Sequence, residues 1–393
     1  MKKVKLSQIG KIITGRTPAS RLKNCFGTEY PFITPRDMKE QKWCIKTERY
    51  LSNVGIKILK NSLIPKNSVA VSCIGSQMGK AIMIKNTSVT NQQINSIIPN
   101  KQIIPDYLYY ILTLKKNEFM SKGSTLGAAI PILNKSHFSN FEIKIHQDLN
   151  LQKKISTILS NYDNLKDNNL ERIKILHGIV RDIYRNWFTK FNFPIKKNIS
   201  LISSKLGKIP KNWKIKKISE IVDISWGDTN VTKASYVSEG YPAYSASGLD
   251  GMLPYYDYER DAIVLSAIGA NCGITWFASG KWSCIKNTIR FFSKTKEISN
   301  EYLYYYSCYK SFWPRRGAAQ PFISQKDIEK IPIIIPPKKL LDEFTIAAKS
   351  YLKLIKNLKN QNNLLIKSRD LLLLKLITTS EIDISKIEIE NIT

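Results

Sequence analysis

Acidic residues are scarce in this chain. Asp and Glu total 31 against 61 Lys and Arg, giving a formal charge of +30 over 393 residues. Such an excess argues against a basic partner and points to an extended polyanion, meaning nucleic acid or an anionic surface. Lys far outnumbers Arg, and Lys, Asn and Ile are abundant together, a pattern that an AT-rich coding sequence also produces. What favours nucleic acid is that the excess is spread over the whole chain instead of sitting in one tail.

Other absences narrow the class. No apolar run approaches the ~20 residues needed to span a bilayer, so no membrane association is expected. The basic start, Met1 to Gln8, has no continuous apolar stretch of the kind a signal peptide needs, and a cytoplasmic protein is expected. The six cysteines (Cys25, Cys44, Cys73, Cys272, Cys284, Cys308) show no CxxC spacing, and His137, His146 and His177 form no ligand pattern with them. Scattered cysteines in a reducing compartment read as small buried hydrophobes, so no structural metal is predicted. There is no GxxxxGK[ST] loop, hence no ATP motor. The polar-Pro-Pro-aromatic tetrad of adenine methyltransferases is missing too, since Ile335-Pro336-Pro337-Lys338 lacks both its polar first residue and its aromatic last. Glu142-Ile143-Lys144 has a Glu-x-Lys spacing found in nucleases but reads more simply as strand-edge charge. His137 and His146 lack a partnered carboxylate and read as solvated or capping groups. No catalytic residue and no cofactor is assigned.

What is present is repetition. With 43% hydrophobic and 10% aromatic residues there is material for folded cores. From Gln147 to Trp187 the apolar residues Ile155, Ile158, Tyr162, Leu165, Leu176, Ile179, Ile183 and Trp187 recur at threes and fours, with Asn169 on the same seam. The pattern predicts a helix roughly 40 residues and about 60 Å long. From Leu341 a second seam reads Leu341, Phe344, Ala348, Tyr351, Ile355, Leu358, Asn362, Leu365, Arg369, Leu372, Leu376. Leu165 and Asn169 map onto Leu358 and Asn362 at a single offset. A polar seam residue lowers stability and fixes register.

Two copies of a globular unit precede these helices. Lys5-Leu6-Ser7-Gln8-Ile9 matches Lys217-Ile218-Ser219-Glu220-Ile221, and the turn Gly15-Arg16-Thr17-Pro18 matches Gly227-Asp228-Thr229-Asn230. The β-run Val69 to Ile74 into Gly75 and Gly79 matches Ile263 to Ile268 into Gly269 and Gly273. Tyr107-Leu108-Tyr109-Tyr110 matches Tyr302-Leu303-Tyr304-Tyr305, and Gly127-Ala128-Ala129-Ile130-Pro131 matches Gly317-Ala318-Ala319-Gln320-Pro321. The expected fold is α+β: two α/β lobes in tandem, separated by two long helices that form an antiparallel coiled coil with pseudo-two-fold symmetry. Expected boundaries are 1–146 (first lobe), 147–190 (central helix), 191–210 (linker), 211–337 (second lobe), 338–379 (C-terminal helix) and 380–393 (tail).

The local sequences resemble a known family. Tyr184-Arg185-Asn186-Trp187-Phe188 with Phe191-Asn192-Phe193-Pro194, Leu206-Gly207-Lys208-Ile209-Pro210-Lys211-Asn212-Trp213, and Ile323-Ser324-Gln325-Lys326-Asp327-Ile328 resemble the helix exit, domain entry and domain close of Type I restriction-modification specificity subunits. The order of lobes and helices is similar over essentially the full length. The second helix entry, Leu341-Asp342-Glu343-Phe344, lacks the Gln usual there. The resemblance implies a non-catalytic protein that binds double-stranded DNA, two methyltransferase subunits and restriction subunits. Each lobe would read one half of an asymmetric bipartite site, and the helices would set the spacer. A coiled-coil adaptor, or an orphan DNA-binding module without active partners, is the alternative.

Base readers are sought among residues whose chemistry fits base edges: Arg for guanine, Asn or Gln for adenine. Turn-like, repeat-equivalent positions offer Gln77, Asn271, Arg315, Arg316 and Gln320, with Arg36 on a loop of the first lobe. Lys80, Lys85 and Lys281 suit phosphates.

Overall fold

The computed structural model describes residues 1–39, 41–44, 46–124, 131–194 and 199–378. Two helices dominate it: a central one, Leu149–Tyr184, and a C-terminal one, Lys338–Thr378. The chain divides into two compact units, one of residues 1–171 with 359–393 and the other of residues 172–358. Each unit therefore combines one lobe with half of each long helix.

In unit 1, Lys2–Lys5 pairs antiparallel with Glu142–Ile145, which ties the start of the lobe to its end. Lys3 crosses to Glu142 at 2.5 Å, so the Glu-x-Lys triplet is cross-strand charge. A five-stranded sheet runs in the order Gly10–Thr14, Ile94–Pro99, Val69–Ser72, Ala81–Ile84, Trp43–Cys44. A second five-stranded sheet contains Tyr30–Ile33 and Ser88–Thr90, paired parallel. The helix Pro105–Leu114 buries Tyr107, Tyr109 and Tyr110 in the lobe's core. That core also takes in Ile155 and Leu159 of the central helix and Leu373, Leu376 and Ile377 of the C-terminal helix.

Unit 2 repeats the plan. Lys214–Lys217 pairs with Pro332–Ile335, and a four-stranded sheet runs Val222–Trp226, Thr288–Ser293, Ala262–Ser266, Thr275–Ala278. No described strand covers Thr275–Ala278 as Trp43–Cys44 covers Ala81–Ile84 in unit 1. The expected linker is partly structured: Leu201–Ser204 and Gly207–Pro210 form a hairpin. Its turn closes through Gly207 at φ 91°, a conformation glycine adopts without a Cβ clash.

The two helices run antiparallel within each unit. In unit 1 Asp163 meets Arg369 and Asn169 meets Asn362; in unit 2 Ile173 clusters with Ile355 and Leu358, and Tyr184 with Phe344. The seam of the C-terminal helix follows the sequence pattern, with Leu341, Phe344, Ala348, Ile355, Leu358, Asn362 and Leu376 all buried. The central helix departs from its pattern. Its buried residues are Gln152, Ile155, Ser156, Leu159, Asp163, Lys166, Asn169, Ile173, Val180 and Tyr184. Leu165 is 41% exposed and does not lie on the seam; Lys166 takes the place expected for it. The reason is electrostatic: Asp163 and Lys166 can be buried because each has an opposite charge within reach.

Asn169 and Asn362 are repeat-equivalent residues that meet each other. Asn169 Nδ2 donates to Asn362 Oδ1 and to Gln361 Oε1, both at 2.9 Å, and Asn362 Nδ2 donates to the Lys166 carbonyl at 3.3 Å. Replacing Asn169 alone by Ala strips Asn362 of a donor and is expected to cost about 1–3 kcal/mol. Replacing both by Leu is expected to be neutral or stabilising. Urea unfolding of the full chain compares the two. A single substitution that costs nothing would show that the pair is not holding the seam.

Candidate nucleic-acid interface

Each lobe presents one hairpin turn, built the same way twice. In unit 1 the buried strand Val69–Ser72 leads into Gly75 (φ 64°) and Gly79 (φ 80°) before Ala81–Ile84. Gly79 N donates to Ser72 O at 2.8 Å, Gly75 N to Pro131 O at 3.0 Å and Leu133 N to Cys73 O at 2.9 Å. In unit 2 the same bonds run from Gly273 N to Ser266 O, Gly269 N to Pro321 O and Ile323 N to Ala267 O, each at 2.9 Å. The four glycines hold left-handed conformations that other residues rarely adopt. A Cβ on Gly79 would stand 2.7 Å from the Lys116 carbonyl. The frame is thus fixed by backbone, which leaves the side chains between the glycines free to differ.

They do differ. Gln77 is exposed on the first turn, and Asn271 occupies the matching place on the second. Asn271 Nδ2 donates to Ala246 O at 3.0 Å and so braces a neighbouring loop. That loop borders a cavity of about 380 Å³ lined by Lys233, Ser245, Ser247, Lys286 and Asn287.

The family model for the Type I restriction modification DNA specificity domain matches residues 1–177 and 210–368. The chain belongs to this family. It carries two specificity domains in tandem and has the organisation of a Type I restriction-modification specificity subunit. It is 26% identical over 404 residues to the MjaIX specificity subunit of Methanocaldococcus jannaschii, covering 95% of this chain and 91% of that one. To the HindI specificity subunit of Haemophilus influenzae it is 39% identical over 141 residues, 35% of this chain and 30% of that one. The crystal structure of the Type I system S subunit from M. genitalium superposes with a TM-score of 0.57 at 17% identity, over 96% of both chains, and so has the same fold.

In the second specificity domain Asn271, Arg315, Arg316 and Gln320 lie on two loops that the Gly269–Pro321 bond joins. Arg315 is exposed beside the turn, its Cδ 3.5 Å from where a Cβ on Gly273 would stand. Arg316 is committed to Asp327 at 2.6 Å, which also accepts from Ser324, the cap of helix Gln325–Glu329. Gln320 is exposed on the same loop. In the first domain Gln77 is exposed and Lys80 half-buried on one turn. Gly127 to Ile130, the counterpart of the Gly317 loop, lies outside the described residues. Arg36 sits apart on a loop pinned by Asp37, which accepts from Thr34 N, Thr34 Oγ1 and Glu48 N at 2.7–2.8 Å. Lys85 and Lys281 are exposed.

Sequence reading missed Gln93 and Asn287, which hold matching places: Cys73 N donates to Gln93 O at 2.8 Å and Ala267 N to Asn287 O at 3.0 Å. The signal was available in the repeat, since the two residues share the offset of the glycine turns and each follows a strand that pairs parallel with another. His137 lies in a turn capped by Asn134, and the His146 ring meets the Leu376 carbonyl at 3.4 Å. Burial pushes the thiols of Cys44, Cys73 and Cys308 up to about 11 and Cys284 up to about 12, so they stay protonated near neutral pH.

Proposed function

We propose that each specificity domain reads one half of an asymmetric bipartite DNA site, that the helix pair sets the spacing of the halves, and that the chain directs methyltransferase and restriction subunits without catalysing a reaction itself. One observation carries the reading: two copies of a single backbone frame bear different side chains at equivalent places, exposed Gln77 against half-buried Asn271 and half-buried Gln93 against half-buried Asn287. A shared frame with divergent polar tips suits two different base sequences read in one geometry. The formal charge of +30 supports the same partner.

Docking of methyltransferase subunits is supported by the outer faces of the helices. Leu364, Leu371 and Leu374 are 65%, 66% and 53% exposed, and Ile175 and Ile346 are 59% and 69% exposed. Apolar residues left outside on a polar helix suit a protein partner.

The test is methylome sequencing of a host that expresses the chain with and without its neighbouring methyltransferase. A new methyladenine motif, split by a fixed gap and requiring both proteins, is the expected result. Exchanging residues 1–145 for those of a relative should then change one half of the motif and leave the other intact. Methylation by the chain alone, or a motif in which both halves change together, would sink the reading. Association of the two proteins without any new motif would favour an adaptor.

A further inference from the structure

Unit 2 contains a cavity of about 310 Å³ between its domain and the central helix, lined among others by Lys174, His177, Arg181, Thr275, Tyr305 and Lys310. No Asp or Glu is among its described lining residues. Arg181 donates through Nε to the His177 carbonyl at 3.2 Å, and its two Nη groups make no hydrogen bond or ion pair among the described residues. Lys310 reaches over the glycine turn to the Ala270 carbonyl at 3.1 Å, and the Tyr305 hydroxyl meets His177 Nδ1 at 3.4 Å.

A second feature is independent of this charge. Thr275 is 8% exposed, and its Oγ1 is buried with no hydrogen-bond partner among the described residues. A buried hydroxyl left unpaired is destabilising, and in native proteins it is commonly explained by strain, a reactive role, or a bound water or ion.

The repeat supplies an internal comparison. In unit 1 the positions matching Thr275, Arg181 and His177 are Ala81, Leu374 and Asp370. There the hydroxyl and the guanidinium are absent, and a carboxylate bound to Arg369 at 2.8 Å is present. The pairing of guanidinium and buried hydroxyl is therefore particular to the second domain and is not a by-product of the shared fold.

We propose that this cleft is a phosphate-group site, in which Arg181 and Lys310 neutralise the oxyanion and Thr275 Oγ1 donates to one of its oxygens. The phosphate can come from a DNA backbone or from a mobile phosphorylated small molecule, because the recognising chemistry is the same. The inference stands apart from base reading, since Arg181, Lys310 and Thr275 are not among the candidate base readers, although the cleft borders the turn that carries Asn271.

The full chain is unfolded thermally with rising inorganic phosphate and, separately, with chloride at matched ionic strength. Phosphate should raise the midpoint beyond chloride. Its apparent affinity should fall about ten-fold or more in Arg181→Gln, as loss of a charged hydrogen bond implies, and several-fold in Thr275→Val. The valine keeps the shape of the side chain and removes only the hydroxyl, so it tests the site even if Arg181→Gln folds poorly. Lys205→Gln, in the exposed Leu201–Pro210 hairpin, should change nothing. Equal effects of phosphate and chloride on the wild-type chain, or an undiminished phosphate response in both cleft variants, would overturn the proposal. A second arm measures DNA affinity of the methyltransferase-bound complex against salt. A slope reduced by about 0.9 in Arg181→Gln identifies a DNA phosphate as the natural occupant; an unchanged slope with the phosphate effect intact identifies a small molecule. A complex without sequence preference would count against the bipartite reading and leave the phosphate titration interpretable.

Discussion

Replacing Asp163 by Ala is expected to destabilise unit 1 by about 3–5 kcal/mol, the usual cost of removing one partner from a buried ion pair. Asp163 is 2% exposed and sits at the centre of a network. It accepts from Arg369 Nη1 at 2.5 Å and from the Tyr110 hydroxyl at 2.7 Å, and Lys166 lies 3.6 Å away. Arg369 is held in its charged form against the pull of burial chiefly by Asp163 and Asp370. Beside it, Lys42 is buried, bonded to Asp106 at 2.5 Å and Ser160 at 2.8 Å, with its ammonium 4.9 Å from the centre of the Tyr110 ring. The network thus joins the domain, the central helix and the C-terminal helix within one unit. Without the carboxylate, Arg369 and Lys166 keep their charge in a poorly solvated place. Replacing Asp163 and Arg369 together by Leu should recover most of the loss, because the penalty lies in the uncompensated charge. Hydrogen exchange read peptide by peptide reports unit 1 separately from unit 2. A loss under 1 kcal/mol for the single change would mean that water screens the pair.

The matching experiment in unit 2 is Phe344→Ala, with an expected cost of about 3–5 kcal/mol from lost burial and the cavity left behind. Phe344 is fully buried. Its ring lies edge-on to Phe188 at 5.1 Å, Tyr184 at 6.0 Å, Tyr305 at 6.2 Å and Tyr302 at 6.3 Å. Such aromatic pairs add about 0.5–1.5 kcal/mol each beyond area burial. The cluster continues through Phe188 and Phe191 to Trp213, at 5.9 and 5.2 Å, and so fastens the end of the central helix to the start of the second domain. Ile346→Ala is the control on the same helix. At 69% exposure it should change stability by less than about 0.5 kcal/mol. Tryptophan fluorescence in urea measures both, since all tryptophans except Trp43 lie in unit 2. Equal effects at 344 and 346 would show that the cluster does not organise the junction.

The aromatic cluster also explains why one part of the sequence was easy to read. The stretches that carry the family resemblance include Tyr184, Trp187, Phe188, Phe191, Phe193 and Trp213, and these six aromatics join one packing centre. The glycine turns were legible for a comparable reason. Only glycine occupies left-handed backbone at Gly75, Gly79, Gly269 and Gly273 without strain, so the same spacing had to be written twice. The candidate readers were less legible. Arg316 looked like a free guanidinium in sequence but is spent on Asp327, and Asn271 is partly spent on Ala246. Nothing in a single residue's neighbours along the chain announces a partner eleven or twenty-five positions away.

By itself, the sequence determined the tandem repeat, the two long helices and the seam of the C-terminal helix, and it set the expectation of a polyanionic partner. These follow from periodicity, glycine placement and charge, which act over a few residues or over the whole composition. Tertiary structure alone decided the seam of the central helix. Apolar spacing placed Leu165 inside, whereas the fold buries Asp163, Lys166 and Asn169, because Arg369, Tyr110 and Asn362 arrive from distant parts of the chain to satisfy them. Charge can replace hydrophobicity at a seam only when its partners are in place, and those partners are fixed by packing in three dimensions.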